Sequence, residues 1–489
     1  MKENSFNLVD EKWIPIEGGQ KSSLLDVFSP NHKGLIGGNA IQKISLYKLL
    51  FCIAQDAVSL GNRDEWEKLE IDVFSKLCTD YLNKYRDCFW LYGEKPFLQY
   101  PELEYKKDME DKPILISYIP DIAAENDTII RDTQTSLPKD DSEKALFILS
   151  LVSYALGGKR ISHPNKFLSK PDERGKSAKA SPGLGSGNIA GYQHSFIICE
   201  SIMQTVYYNY FTDDEIKETG CNKDSTLPPW RKMPTLESSS YNELYRSSIW
   251  AWFISLSRAV LLTSEGIRYG ENLVYAGKWF EPFISLNQEG SVLIVDTTKK
   301  PWRNLPSLLV ESNVAQNSGY RCFAISSHLK RVRESINEFS IWSGGLRVRC
   351  TIGEQSIKQN DDFVESSMHF ESSILGEIFY GNLRNIIEYT NTIENDLRNA
   401  LSRYYYKLKF EKNNMEHTKR ASNEFWNEMD RISQEFVDSA DSEEKMNEIK
   451  NKVFYTSRNI YDCECTKVTA RQIILWQKCR PFKKKEEKF

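Results

Sequence analysis

Apolar residues recur every three to four positions through the last part of the chain, and this regularity constrains the fold more than any other feature. They do so in four successive segments, at residues 373–409, 418–439, 441–453 and 468–476. That spacing is typical of amphipathic helices, and the connections between the segments are short. Acidic residues after Asp441 mark a helix start, and Pro481 marks an end. The pattern predicts an antiparallel four-helix bundle as a separate C-terminal domain, residues 371–489.

Residues 1–370 carry a mixture of helix and strand patterns. Helical spacing occurs at residues 43–58, 66–86, 145–156 and 244–262, and short strand or turn patterns occur at residues 6–16, 24–28 and 277–286. The total length of 489 residues also exceeds what one hydrophobic core usually serves. We therefore predict an α+β fold, with a large mixed domain of short strands and helices at residues 1–370 followed by the helical bundle.

The composition restricts both the function and the compartment of the chain. A net charge of −4 excludes a uniformly basic surface, so any nucleic acid must be held by local cationic patches or with the help of a partner. No apolar run approaches the ~20 residues of a membrane span and no signal core follows the N-terminus, which favours a cytoplasmic protein. The ten cysteines include no Cys-x-x-Cys pair, so neither a zinc ribbon nor a disulfide framework is expected.

Residues 342–357 combine strand spacing with positive charge. At a period of two, one face carries Arg347 and Arg349, and the other face is apolar, with Trp342, Leu346, Val348, Cys350 and Ile352. The Gly-Glu-Gln sequence at residues 353–355 then predicts the tip of a β-hairpin. Two interpretations remain open from these residues alone. The hairpin either packs on a core with its arginines in solvent, or it forms a finger that separates nucleic-acid strands.

Residues 159–179 form the most cationic window of the chain. Only Asp172 and Glu173 oppose its seven basic residues, which are Lys159, Arg160, Lys166, Lys170, Arg174, Lys176 and Lys179. A glycine run follows at residues 183–191, where a backbone without Cβ atoms can approach another backbone closely and donate N–H groups to anionic oxygens. The run lacks Gly-Lys-Ser/Thr and no buried strand precedes it, so a nucleotide-phosphate loop is not expected. A solvated basic surface remains the alternative to an anion-binding site.

Two short motifs near the N-terminus identify a family. Residues 8–15 read Leu-Val-Asp-Glu-Lys-Trp-Ile-Pro, and residues 92–99 read Tyr-Gly-Glu-Lys-Pro-Phe-Leu-Gln. Their order and spacing, together with the chain length, resemble the CasA family, the large subunit of the type I-E CRISPR surveillance complex called Cascade. CasA proteins also end in a helical bundle, so the resemblance covers nearly the full length of the chain.

The resemblance implies a function and assigns residues to it. CasA proteins recognise the protospacer-adjacent motif (PAM) of double-stranded DNA through the minor groove, open the duplex to start R-loop formation and help to recruit the nuclease that degrades the target. A glycine-rich loop lies against that groove in the family, and it corresponds here to Gly183, Gly185 and Gly187. Lys278 matches the family's groove-binding lysine, because an ammonium group can engage the acceptors that line the minor groove.

The predicted hairpin matches the duplex-opening element of the family. Its counterpart contacts the PAM from one side, which assigns Arg347 and Arg349 to DNA binding. The counterpart also inserts an apical glutamine beneath the last PAM base pair. The wedge residues here are then Gly353, Glu354 and Gln355, with either Glu354 or Gln355 at the inserted position.

The family also implies further contacts and partners. The long polar loop that contains Arg131 and Gln134 is expected to reach toward the crRNA and the entering DNA. The basic window is expected to contact the DNA backbone through Lys159, Arg160, Lys166, Lys170, Lys176 and Lys179. The expected partners are the other Cascade subunits with crRNA, target duplex DNA and a helicase-nuclease or equivalent effector, with no membrane, metal or other cofactor.

Two other classes of function remain open. A hydrolase or nuclease would use Cys199 with His194, or His328 beside an acidic residue, and would lose turnover when these residues are replaced by alanine. A scaffold would use the helical bundle only to join other subunits. The sequence contains no set of carboxylates with the arrangement of a metal-dependent nuclease, so catalysis is not expected.

Overall fold

The fold is taken from a computed structural model, which describes residues 3–105, 140–154, 191–236, 239–264, 266–273, 281–309, 319–347, 349–351, 354–356, 362–409 and 414–481. The chain divides into two compact units. The mixed unit comprises Met1–Pro301, Glu311–Val332 and Ile341–Ser366, and the helical unit comprises Trp302–Val310, Arg333–Ser340 and Ser367–Phe489. The division into domains at residue 370 stays a prediction.

The described residues form helices along the whole chain. They are α1 (Leu24–Val27), α2 (Ala40–Ala57), α3 (Arg63–Lys68), α4 (Ile71–Lys84), α5 (Asp141–Tyr154), α6 (Ile202–Tyr208), α7 (Asp213–Glu218), α8 (Ser240–Arg246), α9 (Trp250–Phe253), α10 (Leu305–Leu308), α11 (Phe323–Ser335), α12 (Glu377–Lys407), α13 (Asn414–Arg431), α14 (Ser433–Asp438), α15 (Glu443–Glu464) and α16 (Ala470–Cys479).

The strands are short and form several small sheets. They are β1 (Ser5–Asn7), β2 (Ile14–Pro15), β3 (Lys21–Ser22), β4 (Trp90–Tyr92), β5 (His194–Ile198), β6 (Arg258–Leu262), β7 (Ile267–Glu271), β8 (Ser285–Leu286), β9 (Arg321–Cys322), β10 (Glu338–Leu346), β11 (Arg349–Thr351), β12 (Glu354–Ser356) and β13 (Phe363–Glu371). One sheet has three strands in the order β13-β10-β5, and the others pair β1 with β4, β2 with β3, β6 with β7, β8 with β9 and β11 with β12. This mixture of helices and short strands confirms the predicted α+β class.

Helix α2 is buried along almost its whole length in the mixed unit. Asn39 starts it with a reciprocal capping box, in which Asn39 and Gln42 each accept a hydrogen bond from the other's backbone N–H. Contacts with α4, α5, α6 and α9 surround the helix. Its Phe51 ring also packs on Phe196 of β5 and on Phe283, with ring centroids 5.7 and 5.3 Å apart. The helix is therefore the common support for β5 and for the segment that contains Phe283.

Strand β10 corrects one expectation drawn from the sequence. Residues 342–346 were predicted to have one apolar and one polar face, but all five are buried. The strand lies between β13 and β5, so both of its edges and both of its faces are covered. The Trp342 ring stacks on Phe196 at 5.7 Å, and the Ser343 hydroxyl is hydrogen-bonded to the Ser195 hydroxyl at 2.8 Å.

Two other predicted elements were wrong in type. Residues 244–262, predicted as one buried helix, form α8, α9 and then strand β6, which pairs with β7. A short apolar run does not distinguish a buried strand from a buried helix by periodicity, and here pairing with a later segment decides. Residues 24–28, predicted as a strand or turn, begin helix α1, because Ser23 and Asp26 form a capping box.

The helical unit has the long helix α12 at its centre. Its apolar stripe is buried, including Leu383, Ile386, Leu397 and Leu401, and it contacts α13, α15 and α16. The predicted helix starts near residues 373 and 441 agree with α12 and α15, whereas the segment at 418–439 divides into α13 and α14. The antiparallel four-helix arrangement itself stays a prediction.

Candidate nucleic-acid interface

Three of the segments predicted to contact DNA are attached to neighbouring strands of the mixed unit. The basic and glycine-rich segment leads into Gly191, the Lys278 segment leads into Glu281, and the hairpin begins after Arg347. Strand β5 starts three residues after Gly191 and is hydrogen-bonded to β10, which ends just before Arg347. The first residue of β5, His194, also forms an antiparallel bridge with Ile284.

We call residues 191–193, 293–295 and 345–347 the β5 junction. Backbone hydrogen bonds hold its first two parts together, since Val295 N–H donates to the Gly191 carbonyl and Gln193 N–H donates to the Leu293 carbonyl, both at 3.0 Å. The Arg347 guanidinium joins the third part, because its Nη1 donates to the Val295 carbonyl at 2.8 Å. The points from which the glycine-rich segment and the hairpin depart are thus fixed to the same loop.

Gly345 allows this close approach. A Cβ atom built on Gly345 would lie 2.7 Å from the Tyr192 carbonyl oxygen and 2.7 Å from a Val295 methyl carbon. No side chain larger than hydrogen fits at that distance without movement of the backbone. The glycine is required here for space, because its backbone conformation is that of an ordinary strand.

Beneath the junction lies a group of buried polar side chains, Lys48, Tyr154, His194 and Glu281, which we call the buried cluster. The Lys48 ammonium lies 2.9 Å from Glu281 Oε1, and His194 Nε2 lies 3.8 Å from Glu281 Oε2. Lys48 also lies 5.6 Å from the centroid of the Tyr154 ring, which meets the His194 ring edge to face at 5.9 Å. Among the described residues, neither the Tyr154 hydroxyl nor His194 Nε2 has a hydrogen-bond partner.

Burial controls the protonation of this cluster. It lowers the pKa of Lys48 and raises the pKa of Glu281, while the attraction between the two groups opposes both shifts. Burial and the nearby Lys48 charge hold the pKa of His194 well below its ordinary value, so the imidazole is neutral at pH 7. A neutral His194 makes its contact with Glu281 polar and not ionic.

The two strands of the hairpin are present. Strands β11 and β12 are antiparallel, with Thr351 paired with Glu354 and Cys350 paired with Gln355. Glu354 and Gln355, predicted to lie at the tip, therefore belong to the second strand. The pairing register decides this, whereas the sequence showed only a polar stretch at residues 353–355.

Most of the predicted contact residues lie outside the described part of the chain. They are Arg131, Gln134, Lys159, Arg160, Lys166, Lys170, Lys176, Lys179, Gly183, Gly185, Gly187, Lys278 and Gly353. The backbone of Arg349, Glu354 and Gln355 is described as strand. Arg347 is described with its side chain, which is half-buried and bound to the Val295 carbonyl. The structure thus brings the ends of the predicted segments together, and the assigned contacts stay predictions.

We did not predict the buried cluster from the sequence, although two charged residues within apolar stretches indicate it. Lys48 lies between Tyr47 and Leu49 in an apolar stretch of α2, and Glu281 lies between Phe280 and Pro282. Charged residues are almost never fully buried unless they are paired, so two such positions indicate an internal ion pair. The partners could not be matched, because 233 positions separate them.

The histidines and the cysteine of the alternative active site are buried, and the first pair lies far apart. His194 and Cys199 are five positions apart along β5 and its end, which places their Cα atoms about 16 Å apart, too far for a nucleophile and its base. Burial raises the pKa of the Cys199 thiol above its ordinary value, which disfavours a thiolate. His328 does lie 3.9 Å from Glu215, but its side chain is completely buried and its pKa is lowered by burial.

The described residues show neither a metal cluster nor a membrane-spanning helix. They contain no group of three or more His, Cys, Asp or Glu side chains arranged to hold a metal ion. Among the same residues, every helix is too short or too polar to cross a membrane.

Comparison with known proteins identifies relatives over nearly the whole chain. The family model for CRISPR-associated protein Cse1 matches residues 7–460. A curated CasA/Cse1 protein from Thermus thermophilus is 30% identical over 169 residues, which span 31% of this chain and 32% of the relative. The chain therefore aligns with about a third of that curated relative.

Solved structures resemble the chain in fold. Thermobifida fusca Cse1 superposes with a TM-score of 0.69 at 17% identity, covering 97% of this chain and 95% of the other. Thermus thermophilus CasA gives 0.67 at 15% identity, covering 97% and 98%. A chain of a CRISPR RNA-guided surveillance complex gives 0.68 at 15% identity, covering 98% and 99%. At these identities the similarity shows a shared fold.

Proposed function

The chain belongs to the family of CRISPR-associated protein Cse1, the large subunit of type I-E Cascade, and from that premise we propose that it recognises the PAM of duplex DNA. In this proposal the chain works inside a crRNA-guided complex in the cytoplasm, reads the PAM through the minor groove and opens the adjacent base pairs to start an R-loop. It also helps to recruit the nuclease that degrades the target. It breaks no bond itself and acts through binding energy alone.

The observation that supports the proposal is the anchoring of three segments close together, two at the β5 junction and the third through Glu281 and His194 of the buried cluster. Arg347, which precedes the hairpin, is hydrogen-bonded to Val295 at 2.8 Å, and Val295 is hydrogen-bonded to Gly191 at 3.0 Å, where the glycine-rich segment ends. Glu281 follows Lys278 by three positions, and its carboxylate lies 3.8 Å from His194 of β5. Segments anchored this closely can act on one ligand.

Each segment supplies a different part of recognition in the proposal. Gly183, Gly185 and Gly187 let the backbone enter the narrow minor groove, and Lys278 binds the acceptors on its floor. The basic window neutralises phosphates, which a chain of net charge −4 needs as a local patch. The family resemblance also directs the segment of Arg131 and Gln134 toward the crRNA.

Duplex opening is assigned to the hairpin. Strand β12 begins with Glu354 and Gln355, one of which replaces a lost base-pair contact. Guide RNA pairing then compensates for the separated DNA strands, so the hairpin has to supply only the first opened pairs. Arg347 and Arg349, at the base of the hairpin, provide positive charge beside the duplex.

Duplex binding across a panel of PAM sequences tests the proposal. The assembled, guide-loaded complex should lose roughly tenfold or more of its discrimination between PAMs in Lys278→Ala, because groove contacts of about 1–3 kcal/mol are removed. Gln355→Ala should reduce R-loop formation more than initial binding. Lys452→Ala, which changes an exposed lysine of the helical unit, is the matched control.

Two results would count against the proposal. If PAM discrimination persists in both Lys278→Ala and Gln355→Ala, the assigned contacts are wrong. If the wild-type complex binds all PAM variants equally, the chain acts only as a scaffold in the complex.

A further inference from the structure

Residues of the buried cluster lie next to both ends of residues 155–190 and next to the C-terminal end of residues 274–280, two segments of the chain that are predicted to bind DNA. Tyr154 is the last residue of α5 and precedes residues 155–190, while His194 follows them as the first residue of β5. Glu281 directly follows residues 274–280, which contain Lys278. Lys48 of α2 lies 2.9 Å from Glu281 and 5.6 Å from the Tyr154 ring. One lysine on a rigid helix therefore contacts the attachment points of both segments.

Stability alone does not account for such a cluster. A buried ion pair can often be replaced by apolar side chains of similar volume without loss of stability, and sometimes with a gain. The described surroundings also leave the Tyr154 hydroxyl and His194 Nε2 without hydrogen-bond partners, and a partly satisfied network is unfavourable. Buried polar groups that lower stability are expected where function requires a particular geometry.

The contacts of the cluster are directional. His194 forms an antiparallel bridge with Ile284, and the Ser195 N–H donates to the Phe283 carbonyl at 2.9 Å, which fixes the path of the chain after the Lys278 segment. His194 Nδ1 lies 3.1 Å from the Tyr192 carbonyl, which fixes the strand after the glycine run. Lys48 joins these two fixed points through Glu281.

We propose that Lys48, Glu281 and His194 are positioning residues that hold the glycine-rich segment and the Lys278 segment in one register, so that both reach the same stretch of minor groove. This inference rests on the proposed function and deepens it. The three residues do not touch DNA. They act through the attachment points of the segments that do.

Apolar replacement of the pair separates positioning from stability. In Lys48→Met/Glu281→Leu both charges are removed together, so the chain is expected to melt close to the wild-type temperature. The link from Lys48 to the end of the Lys278 segment is lost, and PAM discrimination by the assembled, guide-loaded complex is expected to fall about tenfold. Glu281→Gln keeps the shape of the side chain and is expected to show a smaller loss in the same direction.

The matched control is another ion pair that joins α2 to a later segment of the same unit. Asp56 of α2 lies 2.9 Å from Arg231, away from the ends of the predicted DNA segments in sequence. Arg231→Met/Asp56→Leu should leave the ratio of affinities for different PAMs unchanged. Melting temperatures of both double variants are measured alongside binding.

Each outcome decides the inference. It is supported if discrimination falls in Lys48→Met/Glu281→Leu and not in the control. It is overturned if the folded variant keeps wild-type discrimination, if the control loses as much, or if affinity falls equally for every PAM. If the double variant does not fold, Glu281→Gln is judged by the same criterion. Unchanged PAM discrimination in both Lys278→Ala and Gln355→Ala would instead count against the proposed function.

Discussion

The surroundings of the β5 junction and the helical unit differ in where they place charged side chains. Beneath the junction, Lys48 and Glu281 are 1% and 0% exposed, and hydroxyl groups are paired inside the sheet. In the helical unit, ion pairs such as Lys452 with Glu435 lie at the surface, with both side chains nearly half exposed. The apolar stripe of α12 forms the interior there. The comparison therefore sets a completely buried ion pair against an exposed one.

The two regions also differ in the range of their contacts. In the helical unit, helices α12 to α16 follow one another in the chain, and α12 contacts α13, α15 and α16. The junction joins Gly191, Val295 and Arg347, and the buried cluster beside it pairs Lys48 with Glu281, 233 positions away. Local periodicity therefore specifies the helical unit, whereas the junction depends on distant strands meeting in the correct register.

The largest expected effect is the loss of stability when a buried ion pair is broken, compared with the loss when an exposed one is broken. Lys48→Met leaves the Glu281 carboxylate buried without its partner, and the free energy of unfolding should fall by about 3–5 kcal/mol. Lys452→Met removes the partner of exposed Glu435, and the loss should stay below about 1 kcal/mol. Chemical denaturation of the full chain measures both values. Equal losses in the two variants would contradict the contrast between the regions.

Replacing glycine by alanine should change the free energy of unfolding in opposite directions in the two regions. Gly345→Ala forces a Cβ against the Tyr192 carbonyl, and we expect the free energy of unfolding to fall by about 1–3 kcal/mol. Gly381 lies inside α12 with nothing within 4 Å of an added Cβ, so Gly381→Ala should raise stability by about 0.5–1 kcal/mol. The same denaturation experiment compares them. A rise in stability in Gly345→Ala would contradict close packing at the junction, and a fall in Gly381→Ala would contradict the open space beside α12.

The smallest expected effect is the dependence of stability on pH. Burial raises the pKa of Glu464 in the helical unit, but hydrogen bonds from Arg420 and His417 outweigh it and lower the pKa below 4.5. The resulting stability is present above pH 4.5 and is lost as the pH falls through the lowered value. Glu281 has the opposite shift, because burial raises its pKa, so acidification removes no stability through that carboxyl.

Glu464→Gln tests this difference. It should lower the free energy of unfolding by about 1 kcal/mol at pH 7, a value reduced for the exposure of Arg420. The gap between variant and wild type should close as the pH falls below the folded pKa. Denaturation measured across a pH series would contradict the account if the gap stayed constant.

The sequence predicted the helical unit better than the junction. The starts of α12 and α15 followed from apolar spacing, and the family followed from two motifs whose order and spacing are distinctive. Residues 244–262 were assigned to the wrong element, because their pairing partner in β7 is not visible in a local pattern. Glu354 and Gln355 were assigned to the hairpin tip and not to strand β12 for the same reason, since the register of β11 and β12 decides where they lie.

The candidate site was predicted as separate segments, and their common attachment came from the structure. Arg347 was selected for its charge, yet its described contact is with the Val295 carbonyl. Nothing in the local sequence pairs Lys48 with Glu281, because each lies in an apolar stretch that gives no information about the other. Such long-range polar pairs require knowledge of the fold.

Site-specific photo-crosslinking to PAM-containing duplex tests most directly whether the three segments meet one ligand. A crosslinking amino acid is placed in turn at positions 187, 278 and 353 of the chain in the assembled, guide-loaded complex, with position 452 as the control. We expect the first three positions to crosslink to the PAM and the base pairs beside it, and position 452 to give no crosslink there. Crosslinks from the three positions to widely separated parts of the DNA, or from one position alone, would contradict a common interface at the β5 junction.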